Sequence, residues 1–159
     1  MAKHITVVLS ECKRDEPDLE SVERKIAAAL ENRPGVSVAL LPHLYDLAVD
    51  GPGVEFLRKV DGDLIVAAPL YARTIYWLLD AAEVTGRRSR SSFDTDEETE
   101  AWSAERDDEV SDRTIWCLDV RPHRQTEEAL LDEIERIVAG RDAVPPAAKD
   151  AVPPAARDA

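Results

Sequence analysis

Cys12 is the side chain best placed for chemistry by type and surroundings. It stands in Ser10-Glu11-Cys12-Lys13-Arg14, just ahead of a helix-like segment. Two adjacent cations and a helix start both favour a thiolate, so a reactive thiol or a metal ligand is what it would offer. The plainer reading is a loop cysteine with no task. Arg73, Arg121 and Arg124 add cations in other loops, and with Lys13 and Arg14 they would hold a phosphate, a carboxylate or an acidic partner. The alternative is that these arginines pair with surface acids.

Tyr71 joins this set from Pro69-Leu70-Tyr71-Ala72-Arg73. Tyr71, Tyr76 and Trp77 at helical spacing read more readily as core and rim packing than as a cofactor box. Phe93 and Trp102 stand among acids, as anchors of a short binding motif do. A solvated linker is the equal alternative. His4, His43 and His123 lack metal-ligand spacing, and no Ser/His/Asp set can be assembled, so no catalytic or metal residue is assigned. The first loop has no glycine-rich cradle, which removes both a dinucleotide fingerprint and a P-loop.

These loops need a frame. His4–Ser10 and Leu64–Ala68 are apolar runs without alternation, the pattern of strands covered on both faces. Val36–Leu41 and Arg113–Leu118 complete four strands. Helices are expected over Asp18–Asn32, from Pro52, over Leu70–Val84 with Gly86 as stop, and from Thr126 to Gly140. Strands alternate with helices, and right-handed crossovers then give an α/β fold. It is a four-stranded parallel sheet of order 2-1-3-4 with flanking helices, a flavodoxin-like or Rossmann-like three-layer sandwich. Ligands of such sheets bind beyond the carboxyl ends of the strands at the switch in strand order, here between strands one and three. Cys12, Lys13, Arg14, Tyr71, Arg73, Arg121 and Arg124 all fall in loops at that edge.

The chain has 159 residues, 44% of them apolar and a third charged, with a net charge of −13. Residues 1–140 are read as one domain. Residues 87–112 form an acidic insertion, and 141–159 a tail built on DAVPPAAK and DAVPPAAR, extended and solvated. Ten acids and one base lie between positions 94 and 112, a net of −9, which leaves −4 for the rest. That balance argues against nucleic acid or an anionic membrane as partner. No apolar run spans a bilayer, and Ile5–Leu9 is too short for a signal peptide, so a cytoplasmic protein is expected. Two cysteines are too few for an iron–sulfur cluster held by this chain alone. Cys117, inside a strand, reads as core.

ITVVLSEC at 5–12, GVEFL at 53–57 and GDLIVAAPLYARTIYWLLDAAEVTG at 62–86 resemble the N-terminal domain of the heterodisulfide reductase A subunit. They also resemble the delta subunit of methyl-viologen-reducing hydrogenase and the like domain found ahead of ferredoxin clusters. The resemblance covers roughly residues 4–140. In those families cysteines end the first strand and follow strands two and three. Only Cys12 matches, with Ser10 and Pro69 at two of the other positions. What the resemblance implies is therefore an accessory or docking domain. Its partner would be a ferredoxin or reductase subunit, which would carry the iron–sulfur cluster. Two other readings stay open: a phosphate- or small-molecule-binding module on the cationic edge, and a scaffold acting through the 87–112 loop.

Overall fold

A computed structural model of the chain describes residues 4–11, 16–89, 91–93 and 113–143. Cys12, Lys13, Arg14 and Trp102 lie outside the described residues. So do the acidic positions 94–112 and the repeat from 144 onward.

Strands β1 (Ile5–Ser10) and β3 (Asp63–Ala68) are buried at every position. Their unbroken apolar runs sit at the centre of the sheet, where both faces are covered. β2 (Val36–Leu41) is buried only at its two ends. β4 is the two-residue strand Arg87–Arg88, and β5 runs Thr114–Asp119. All pairings are parallel, and the order is β2-β1-β3-β5-β4.

This corrects the expected four strands in order 2-1-3-4. The four long strands keep that sequence of neighbours, but a fifth strand is added on the far edge, inside the stretch read as loop. Arg87 N–H donates to the Arg113 carbonyl at 2.7 Å and Ser89 N–H to the Ile115 carbonyl at 2.8 Å. A Cβ on Gly86 would stand 2.5 Å from the Ile115 side chain. Glycine is thus what lets this segment close on β5. It is not the helix stop that was expected.

Helix α1 (Pro17–Leu30) buries Leu19, Val22, Ile26 and Leu30 on one stripe, with proline in its first turn. α2 (Pro52–Lys59) buries Val54 and Leu57. α3 (Ala72–Ala81) is shorter than expected at both ends. It stops because Glu83 takes the left-handed conformation, φ 62°. Val84 N–H then reaches back to the Leu79 carbonyl at 2.9 Å and Glu83 N–H to Asp80 at 3.0 Å. That is a Schellman closure, sealed by Val84 and Leu79 buried together. α4 (Glu128–Ala143) runs three residues past the expected stop at Gly140, across the expected domain end. Gly140 does not take the positive φ of a left-handed cap, so the helix passes through it.

Two cores follow from the pleat. Ile5, Val7 and Leu9 of β1 pack with α1 and α4 on one face. Val8 of β1 and Leu64, Val66 and Ala68 of β3 pack with α2 and α3 on the other. The result is a three-layer α/β arrangement. Cys117 is buried in the second core, and β3 separates β5 from β1. No helix among the described residues is long and apolar enough to cross a membrane.

Candidate functional site

The carboxyl ends of β2, β1, β3 and β5 open onto one edge. The loop after β1 contains Cys12–Asp15, outside the described residues. What precedes it is tied down. Ser10 Oγ accepts from Leu44 N–H at 3.0 Å and donates to the Pro42 carbonyl at 3.4 Å. This stitches the end of β1 to the turn after β2. In that turn His43 is buried, its Nδ1 accepts from Tyr45 N–H at 3.3 Å, and the two rings stack at 5.6 Å. Tyr45 is 61% exposed.

On the other side of the β1 loop, β3 ends at Ala68 and the chain enters α3 through Tyr71. Tyr71 has extended backbone at the helix N-cap, and its ring is 63% exposed. The neighbouring loop brings a cation to it. Asp119, the last residue of β5, accepts from Arg121 N–H at 2.9 Å, from its Nε at 3.0 Å and from Nη2 at 2.8 Å. A carboxylate that holds both a backbone N–H and a guanidinium fork fixes the side chain's direction. Arg121 so held lies over the Tyr71 ring, 4.1 Å from its centroid. Its hydrogen bonds to Asp119 raise its pKa further, and Tyr71 adds to this against the opposing effect of burial.

Among the described residues, the other predicted cations, Arg124 and Arg73, are also engaged. Arg124 Nε reaches the Arg121 carbonyl at 3.4 Å, and its Nη2 faces Glu16 at 3.7 Å. Arg73 lies over Trp77 at 4.4 Å, and Trp77 is 47% exposed. The structure therefore joins Tyr71, Arg121 and Arg124. Arg73 belongs to a separate pair further along α3. Of the pairings open at the sequence level, acids take Arg121 and Arg124.

Phe93 also meets this edge. It packs partly buried against the first core, its ring 4.7 Å from that of His123 in the turn after β5. Ser92 N–H donates to Glu133 of α4 at 2.6 Å, and Arg136 clamps the same carboxylate at 2.7 and 2.8 Å. The acidic stretch thus departs from a fixed point beside the carboxyl edge. Burial pulls the His123 pKa down, against a smaller upward pull from Asp119. Burial raises that of Glu133, but Arg136 and Ser92 together outweigh it and the result is lowered.

Sequence reasoning missed Glu133. Its signal was an acid on the inner stripe of α4, three residues after Leu130 and four before Ile137. An acid placed among buried apolar positions needs a partner.

The residues present do not fit an iron–sulfur cluster of the resembled kind. Ser10 is committed to two backbone groups, and Pro69 carries no ligating atom. Among the described residues no group of three or more His, Cys, Asp or Glu could hold a metal ion. No family model, curated protein or solved structure matches the chain.

Proposed function

We propose that this protein is a docking domain for a protein partner, received on the carboxyl edge of the sheet, within a ferredoxin-linked electron-transfer system. One observation supports docking: an exposed tyrosine lies under an arginine whose own charge is already held by Asp119. Tyrosine, tryptophan and arginine are the residues that dominate protein-interface hot spots. A ring immobilised by a guanidinium has little entropy left to lose on binding. Tyr45 stands exposed across the β1 loop from this pair and enlarges the surface.

The same geometry weighs against an anion site. Arg121 and Arg124 face Asp119 and Glu16, so an incoming phosphate would have to displace a carboxylate. The redox assignment rests on the sequence pattern at 5–12, 53–57 and 62–86. Electron-transfer encounters are small, below ~1,200 Å², so the surface this reading asks of the edge is modest.

Titration of the full chain with a purified bacterial-type [4Fe–4S] ferredoxin tests the proposal. Saturable binding is expected. A flat isotherm with the ferredoxin and with a ferredoxin-linked reductase subunit overturns the redox assignment.

A further inference from the structure

The opposite end of the sheet carries a second surface. Ile5 N–H donates to the Gly35 carbonyl at 3.1 Å, and Glu11 N–H donates to the Leu41 carbonyl at 2.8 Å. The backbone groups of odd-numbered residues in β2 therefore face β1. With a period of two, those of Val36, Val38 and Leu40 face outward. Val36 N–H is taken by the Arg33 carbonyl at 3.2 Å. Val38 and Leu40 present donors and acceptors along an edge that no strand among the described residues covers.

Exposed edges are normally guarded by lysine, proline or an inward-pointing charge. β2 reads Val-Ser-Val-Ala-Leu-Leu and has none of these. Leu40 is 56% exposed. A groove of about 640 Å³ runs beside the edge, walled by Ala39, Leu41, Leu47, Pro52 and Phe56, with Asp46 as its one acid. Phe56 is 38% exposed at its margin.

We propose that this edge pairs with the β2 edge of a second copy of the chain, antiparallel about a twofold axis through Ala39. The register is self-complementary. Val38 opposes Leu40 of the other copy, and their outward groups exchange four hydrogen bonds across the axis. Even-numbered side chains lie on the α1 face, so each Leu40 covers the other copy's partly buried Val38. Ala39 meets its own mate at the close, non-hydrogen-bonded position, which needs a small side chain. Two residues of ladder fall short of the ~800 Å² per partner that a stable interface buries. The groove and Phe56 supply apolar surface alongside.

The distribution of charge leaves the β2 edge open to a second copy. The −9 stretch joins Phe93 to Arg113, and both residues are held on the β5 side. Phe93 packs on His123, while Arg113 donates to the Leu57 and Arg58 carbonyls and leads into β5. Seven strand spacings, roughly 30 Å, would separate β5 from its mate across the joined sheet. That is several times the ~10 Å screening length, so the anchored ends of this stretch lie well away from those of the other copy. At the other edge β4 is only two residues long, carries two arginines and adjoins the acidic stretch. The chain is guarded there and open at β2.

Sedimentation of the full chain over a concentration series, with amide exchange at its ends, tests this. Wild type is expected to reach twice the 17.6 kDa of one chain at high micromolar concentration. Leu40→Lys, which loses one cross-strand apolar pair per copy, is expected to weaken association about tenfold or more. Leu40→Ile is expected to retain it. In the unmodified chain the Val38 and Leu40 amides should gain protection as concentration rises, a readout independent of whether a variant folds. A wild type that stays monomeric, a Leu40→Lys variant that dimerises as tightly, or amide exchange independent of concentration would each overturn the proposal.

Discussion

The guanidinium of Arg121 lies 4.1 Å over the ring of Tyr71, and it lies there because Asp119 accepts two hydrogen bonds from it and a third from the Arg121 backbone N–H. The pair links the loops after β3 and β5, beside the switch in strand order. Asp119→Asn should loosen it. The amide keeps one acceptor, loses the charge and cannot receive the whole fork. Unfolding stability is expected to fall by only about 1 kcal/mol, because the ion pair is local and still partly solvated and the cation–π contact lies on an exposed ring. Partner affinity should fall more than stability does, and urea denaturation beside a binding titration separates the two.

Glu133 is expected to govern acid sensitivity at the start of the acidic stretch. Its side chain is almost wholly buried, and its pKa is lowered in the folded chain. A depressed carboxyl pKa stabilises the fold above the unfolded value of about 4.3, and that stability is lost as pH falls through the lower folded value. Glu133→Gln should cost about 1–3 kcal/mol at neutral pH, from weakened hydrogen bonds to Arg136 and Ser92. It should also flatten the pH dependence below about 4.3. Thermal melts from neutral to acid pH check both effects.

His123 responds in a higher window. Burial lowers its folded pKa and so favours the neutral ring, and Phe93 packs on that ring. Stability from this contact is complete above the unfolded pKa of about 6.5 and falls as pH drops through the folded value. NMR titration of His123 should give a midpoint below about 6.5, and Phe93→Ala should move it back toward that value. A midpoint above the reference would refute this reading of the contact.

The fold was legible where burial alone decides the pattern. β1 and β3 are apolar throughout because α1 and α4 cover one face and α2 and α3 the other, and their central place follows from that. β4 was hidden because Arg87-Arg88 has no strand pattern of its own. It pairs because Gly86 admits Ile115, a tertiary fact. The end of α3 was hidden for a like reason, since Glu83 takes a conformation that glycine or asparagine usually marks. At the site, the rule for sheet edges placed Tyr71 and Arg121 in facing loops. Nothing in their spacing, 50 positions apart, said that one ring would sit under the other. Asp119 decides that, by where its strand ends.

The central claim is that the carboxyl edge, and not the β2 groove, receives the partner. Ferredoxin titrations of Tyr71→Ala and Phe56→Ala, beside the wild-type chain, test it most directly. The expected result is an affinity loss of about tenfold or more for Tyr71→Ala, as for an interface hot spot, with Phe56→Ala unchanged. Equal affinities for wild type and Tyr71→Ala, or a loss confined to Phe56→Ala, would contradict it.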